Sequence, residues 1–384
     1  MIESLIKHKL IHAQLNSFLI EYEARKMGLT THRINHLLLT CTDENNNQAL
    51  FRRAAGPDVT YASDTICMNK DFLKRLWFRY NLPVNPWLAV NGNEIDKAIN
   101  FCENLSWNVV VKPTSASGGK NVFTDINNIG QLKNACEQVL NSRIISRRYN
   151  SPNKILIEAK HSGKDYRFFV VKHNVVAVLE RARPTIIGDG KSSVSELIDH
   201  KKKIRLSNPD LFSRPLVVDD IVHERLKSIG ISMDSVLKKD RSVIIRGNAN
   251  ISTGGESIDV TDIVPCGIKT LVEAAVKAVP NLSSCAVDVL CLDIGNDDAQ
   301  DSSNLVLNEI EPDAAMCMHH FPLFGKPRNV AKCLLLSAFP DKAQQHPMET
   351  NYIHDFDDNV DLVDEIAYSI KNKYYTFFEE NKTF

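Results

Sequence analysis

Two short runs place acidic residues where a hard cation could be held. Ser284-Cys-Ala-Val-Asp-Val-Leu-Cys-Leu-Asp293 carries Asp288 and Asp293, and Asn304-Leu-Val-Leu-Asn-Glu-Ile-Glu-Pro-Asp313 carries Glu309 and Glu311. Both runs are apolar, rich in β-branched residues and of strand length. Alternate residues of a strand project to one face, so Glu309 and Glu311 converge. Mg²⁺ is ordinarily held by one or two carboxylates while phosphate oxygens complete its octahedron. Alternating acids also describe an ordinary solvated strand face, and the rest of the chain must decide between the two.

A matching anion site is present in Ser115-Ala-Ser-Gly-Gly-Lys120, between strands Trp107–Lys112 and Val122–Thr124. Small residues and paired glycines let successive backbone N–H groups approach an anion, and Lys112 and Lys120 add point charges, which suits a polyphosphate. Neither a GxxxxGK[ST] nor a GxGxxG pattern occurs, and taken alone the segment fits a plain hairpin tip equally well. In Ile155–Phe169 an apolar strand breaks into a short linker, a form that can offer backbone groups to a nucleobase edge. An acid then follows at Asp165, placed for ribose hydroxyls. Arg181 and Arg183 flank Ala182 and read either as edge charges or as phosphate or carboxylate contacts. Lys191, in the tight turn Gly188-Asp-Gly190, reads as structural or as a lid contact. His319 and His320 are adjacent and so point apart, which favours satisfied histidines over a metal pair.

The chain has 384 residues and is 43% hydrophobic, enough for substantial cores in two or three domains or lobes. Its 46 Lys+Arg against 47 Asp+Glu give a formal charge of -1, so no global field recruits nucleic acid or an anionic membrane. Nine cysteines, without CxxC or Cys/His metal spacing, read as reduced core residues. The first residues lack the apolar core of a signal peptide and no 18-residue apolar run occurs, so a cytoplasmic protein without a membrane partner is expected.

The positioning elements alternate in type. A helix through Leu15–Lys26, ended by Gly28, precedes a hairpin from 37–41 to 49–52, and a helix capped by Asn69 runs from Lys70 to Tyr80. Helices are expected at Ile95–Leu105 and Ile129–Leu140, and strands at Trp107–Lys112 and Lys154–Glu158. Two long strands, Tyr166–Val171 and Val175–Arg183, are expected to turn at His173-Asn174. Residues 199–240 are charged and helical in period, the pattern of an inserted subdomain or lid, and an amphipathic helix lies near Leu362–Tyr374. The fold class is α+β with antiparallel sheets.

A strand with Lys, a glycine-rich loop, a strand with Glu, a linker, an acid, a long hairpin and then an acid pair resembles the ATP-grasp superfamily. More narrowly, the chain is similar to the ligase domain of cyanophycin synthetases and the related domain of bifunctional glutathione synthetases. The resemblance runs from about Cys67 to Pro340. It rests on Val110-Val-Lys-Pro113, Val175-Val-Ala-Val-Leu-Glu-Arg181, Ile187-Gly-Asp-Gly-Lys191 with Glu196-Leu-Ile198, Asn250-Ile-Ser-Thr-Gly-Gly255 with Asp259 and Thr261-Asp262, and Met318-His319.

This resemblance implies an ATP-grasp fold of two α/β lobes gripping ATP, plus an N-terminal α/β cap. The expected divisions are a cap at 1–66, a first lobe with the glycine-rich loop at 67–150, a second lobe with the metal site at 151–340, and a helical tail at 341–384. It implies that Lys112 contacts the α-phosphate and adenine side and that Ser115, Ser117, Gly118, Gly119 and Lys120 close over the β- and γ-phosphates. Glu158, Ala159, Lys160 and His161 fall on the adenine hinge and Asp165 on the ribose acid. Asp288, Glu309 and Glu311 fall on the positions that hold Mg²⁺, two ions with Mn²⁺ as an alternative, while Arg246, Asn250 and Arg181 fall where the reacting carboxylate and its acyl phosphate are held. The implied activity is an ADP-forming carboxylate–amine ligase acting on small molecules, as a homodimer with the C-terminal helix as a candidate contact.

Two positions depart from the family pattern. Glu311 stands where a neutral Asn is usual, adding negative charge at the metals, and Cys317 stands where an Arg would anchor a substrate carboxylate. Both lie on the acceptor side, which implies a changed substrate with retained ATP chemistry: ligation of a small acid, amino acid or peptide, or tailoring of a peptide or protein. The competing readings are a nucleotide-binding regulator or scaffold with a decayed site, and a kinase that phosphorylates without ligation.

Overall fold

Asn69 opens the helix Lys70–Arg79 by accepting hydrogen bonds on Oδ1 from the N–H groups of Asp71 (3.0 Å) and Phe72 (3.3 Å), the usual satisfaction of a first helical turn. One turn apart on this helix, Lys70 and Lys74 share a face with the buried Trp77, whose indole N–H donates to the carbonyl of Ala275. The computed structural model describes residues 2–115, 121–141, 154–297, 302–349 and 351–380, with side chains through residue 371. The chain forms two compact units, one from Met1–Pro57, Val176–Asp262 and Asp313–Phe384, the other from Asp58–Val175 and Ile263–Pro312.

The second of these carries the Lys70–Arg79 helix. Its antiparallel sheet has the order Trp87–Val90, Ile155–Ala159, Val109–Pro113, backed by helices Ile95–Asn104 and Ile129–Asn141 over a core that includes Val111, Leu132, Val139 and Ile157. A further antiparallel group places Cys285–Cys291 between Lys164–Val171 and Leu305–Glu311. The turn after Val171 is made by Lys172 and His173, both at positive φ, as a type I′ hairpin turn requires, one residue earlier than the sequence suggested.

Strand Leu305–Glu311 contains an irregularity that decides what each face carries. Leu305, Leu307, Glu309 and Glu311 alternate and would all share one face of a regular strand. Here Glu309 pairs with Asp288 and Leu307 with Val289, so Asn308 is left unopposed as a bulge. The extra residue puts Leu305, Leu307 and Ile310 on one face and Glu309 and Glu311 on the other, where Asp288, Arg167 and Asp165 also lie by register.

In the first unit a short helix, Glu3–Ile6, precedes helix His12–Lys26, which packs on a three-stranded antiparallel sheet Thr30–Arg33, Leu38–Thr42, Gln48–Arg52. Within that helix Glu21 is buried against Arg33, while Glu23 is buried with Oε1 making no hydrogen bond. The strand Thr30–Arg33 escaped sequence reading because Thr-Thr-His-Arg has no apolar alternation. Strand Glu256–Asp259 pairs with residues 179–182. The charged stretch forms helices Val194–Leu206 and Asp220–Ser228 around a small core of Val194, Ile198, Val222, Leu226 and Leu237. The Gly188 turn is structural, since a Cβ there would lie 2.3 Å from the carbonyl of Lys238. Among the described residues no helix is long and apolar enough to cross a membrane.

Candidate active site

In the second unit, cross-strand register aligns Arg167, Asp288 and Glu309 in one row over three strands. Ligand oxygens of Asp288, Glu309 and Glu311 all lie within 4.8 Å of one another, the convergence expected from the alternating acids. Asp293 does not join them. It lies past the strand end, where its Oδ1 accepts from the N–H of Gly295 (3.0 Å).

Each acid has a cationic neighbour. Arg167 donates through Nε and Nη2 to the two oxygens of Asp288 (2.8 and 2.9 Å), and its Nη2 lies 3.0 Å from Oε2 of Glu311. Lys70 Nζ is 2.9 Å from Oε2 of Glu309. Deeper in the unit, Glu158 lies between Lys112 and Lys74, with Lys74 Nζ at 3.2 Å, and Lys112 also donates to Oδ1 of the bulged Asn308 (3.2 Å). Asp288 and Arg167 are buried, whereas the side chains of Glu309 and Glu311 are 21% and 33% exposed, so the row opens to solvent at its acid end.

Burial alone would push the Glu158 carboxyl up, but the ammonium groups of Lys112 and Lys74 outweigh it and hold it at about 2. Burial likewise opposes charge on Arg167 and Lys70, and Asp288 with Glu311, and Glu309, respectively overcome it and raise both. At Lys74 burial wins and the ammonium is held below its usual range in spite of Glu158.

The remaining candidates are distributed as follows. Asp165 shares the face of Arg167 two residues along its strand. Ala159 and Lys160 donate their backbone N–H groups to the carbonyls of Pro86 and Asn108, and His161 Nε2 lies 3.2 Å from the carbonyl of Ser303. Ser115 is buried in the turn that follows strand Val109–Pro113, while Ser117, Gly118, Gly119 and Lys120 lie outside the described residues. Arg181, Arg246 and Asn250 belong to the first unit. There Arg246 donates to both oxygens of Asp219 (2.9 and 2.8 Å), Asn250 Oδ1 accepts from the N–H and hydroxyl of Ser252 (3.0 and 2.9 Å), and Arg181 is half-buried opposite Ser257.

Four neighbours of the acids escaped sequence reading: Lys70, Lys74, Arg167 and Asn308. The lysines carried a usable signal, since their i,i+4 spacing places both on the face that buries Trp77. So did Arg167, the one charge within Tyr166-Arg-Phe-Phe-Val-Val171. Asn308 had none, because a bulge is set by the partner strand.

No protein-family model matches the chain. It is 28% identical over 291 residues to the glutathione biosynthesis bifunctional protein GshAB of Pasteurella multocida, across 73% of this chain and 36% of that protein. It is 28% identical over 323 residues to the cyanophycin synthetase of a Nostoc species, across 83% of this chain and 34% of the synthetase. The crystal structure of the bifunctional glutathione synthetase from Pasteurella multocida aligns with a TM-score of 0.63 at 26% identity, covering 82% of this chain and 42% of that one. The chain spans 36% and 34% of the lengths of these two curated relatives. In sequence and in fold the chain is related to the ATP-grasp ligases, with an α+β architecture resembling that of the bifunctional glutathione synthetases.

Proposed function

We propose that this chain is an ATP-dependent, ADP-forming carboxylate–amine ligase that joins a small acid, amino acid or peptide to an amine or amino acid. The convergence of Asp288, Glu309 and Glu311 beside Lys70, Lys112 and Arg167 carries this reading. An all-oxygen donor set of this kind fits Mg²⁺, or Mn²⁺ in its place, and the proposed stoichiometry is two ions sharing the carboxylates. When bound, such ions would neutralise phosphate charge as a second anion approaches.

The cluster's own charges favour cation and polyphosphate together over either alone. Asp288, Glu309, Glu311 and Glu158 are matched by Arg167, Lys70, Lys74 and Lys112. A lone dication would leave that balance positive. With a polyphosphate present, Lys70, Arg167 and Lys112 have new acceptors in its oxygens, and the carboxylates are released to the ion.

In the proposed reaction the acid's carboxylate oxygen attacks the γ-phosphorus and ADP leaves. The amine nitrogen then attacks the acyl carbon, phosphate departs with the broken C–O bond, and the nitrogen loses a proton. Arg246, Asn250 and Arg181 are the residues proposed to hold the acid and its acyl phosphate. The 115–120 segment would exclude water, residues 159–161 would receive the adenine, and Asp165 the ribose.

The test is release of ADP and phosphate from ATP and Mg²⁺ with a panel of acids and amines, with the product followed by mass. Amine-dependent release is expected, and Glu309→Gln should lower turnover about 10²–10³-fold while nucleotide affinity stays within a few fold. Confirmed ATP binding with no release for any pair would overturn the reading. A second reading, a nucleotide-binding regulator, is favoured by one observation: Arg167 and Lys70 already satisfy all three acids. Loss of turnover without loss of nucleotide affinity in Asp288→Asn and Glu309→Gln excludes it, and ADP release that needs no amine points instead to a kinase.

A further inference from the structure

The first unit holds a second convergence of metal-ligand side chains that the ligase reading leaves unused. His12 opens the helix His12–Lys26, Asp210 follows the helix Val194–Leu206, and Cys317 begins the short helix Cys317–His320. Cys317 Sγ lies 2.8 Å from Oδ1 of Asp210 and 3.1 Å from Nδ1 of His12, and that nitrogen is 3.2 Å from Asp210 Oδ1. Asp210 is fully buried and its second oxygen, Oδ2, makes no hydrogen bond. Buried carboxylate oxygens are normally satisfied, so Asp210 brings an acceptor with unused capacity to this group.

The surroundings hold the three donors in place. Asn16 Oδ1 accepts from the backbone N–H groups of Met316 (2.8 Å) and Cys317 (3.0 Å), and its Nδ2 donates to Cys317 Sγ (3.3 Å). Arg214 Nη2 donates to Asp210 Oδ1 (2.6 Å), contacts His12 Nδ1 and lies 4.0 Å from Cys317 Sγ. The guanidinium therefore orients the carboxylate through Oδ1 and competes with an ion for all three donors.

We propose that His12, Asp210 and Cys317 form a binding site for a transition-metal dication, zinc by the chemistry of its donors. One imidazole nitrogen, one thiolate and one carboxylate make a borderline-soft set that suits Zn²⁺, whereas Mg²⁺ and Ca²⁺ take oxygen alone. Three protein ligands leave a fourth position for water. On binding, Cys317 Sγ gives up its proton to solvent and the sulfur becomes a thiolate ligand, so with Asp210 two negative charges meet the dication. His12 and Asp210 are 198 residues apart and Asp210 and Cys317 are 107 apart, so the ion would clip three distant segments of this unit together.

Untagged full-length protein, stripped of metal and titrated with cobalt(II), reads the site directly. One equivalent of Co²⁺ per chain is expected to produce a thiolate-to-cobalt charge-transfer band, release one proton, and be displaced by Zn²⁺. The carboxylates near Glu309 have no sulfur and cannot give that band. Cys317→Ser should abolish it and weaken affinity at least about 100-fold, since even partners outside a ligand set are worth about 10–100-fold. His12, whose side chain is 29% exposed, gives the variant least prone to unfolding, and His12→Gln should weaken Co²⁺ binding about 10–100-fold with the circular dichroism unchanged. Arg214→Gln should bind at least about tenfold more tightly by removing a neighbouring positive charge. No band in either the native protein or Arg214→Gln, or a band that survives Cys317→Ser, would overturn the proposal.

Discussion

Glu158 in one unit and Glu23 in the other are both buried glutamates, and their carboxyls move in opposite directions. Burial pushes Glu23 up to about 7, with Lys26 the main opposing charge, and that ammonium is half-exposed and already paired with Asp355 at 2.5 Å. Burial acts the same way on Glu158, yet Lys112 and Lys74 hold it at about 2. The difference lies in the cations. Two ammonium groups that are themselves buried act through low dielectric, whereas one that faces water is screened. Charge is thus concentrated at the candidate nucleotide site and suppressed on Glu23.

The largest test of this contrast is Glu158→Gln, which leaves Lys74 and Lys112 buried without their acid and should lower unfolding free energy by about 3–5 kcal/mol in urea denaturation. Pairing the change with Lys74→Met sharpens it, because the double variant should recover part of the loss, and strict additivity would mean the two side chains are not coupled. Glu23→Gln should behave oppositely, gaining up to about 3 kcal/mol at pH 8 and nothing at pH 4.

The pH signs follow from the directions. The folded pKa of Glu158 is depressed, so its contribution is complete above about pH 4.5 and is lost as pH falls from there through about 2. Glu23 is raised, so its penalty is absent below about pH 4.5 and grows as pH rises through about 7. Unfolding curves across this range, with each variant removing its own limb, check both. The smallest effect is expected at Arg246→Lys. Its partner Asp219 is 36% exposed, and losing the bidentate geometry should cost about 0.5–1 kcal/mol of stability. If Arg246 also holds the acid substrate, KM for the acid will rise by more than that stability loss accounts for.

Elements with strong local signals were legible in the sequence. The helix after Asn69, the helices near 95–105 and 129–140 and the strands carrying the acids emerge within a few residues of the expected bounds, because capping and periodicity act locally. The acid trio was legible as well, since two of its members lie two residues apart on one strand. What the sequence did not give up was set at long range. Asp288 meets Arg167 across 121 residues and Lys112 meets Asn308 across 196, and no window of composition reports either. The His12–Asp210–Cys317 group is the extreme case, being assembled by packing alone.

Asn308 has a consequence for how this chain tolerates changes in length. Deleting that single residue removes the bulge and makes Leu307 and Glu309 direct neighbours, so the alternation of a regular strand keeps the two leucines on one face and the two glutamates on the other. Deleting Ile310 instead would make Glu309 and Glu311 neighbours and send them to opposite faces. The bulge is therefore a point in this strand where a residue can be lost without turning the candidate site over, and the side chain lost with it is the acceptor of Lys112.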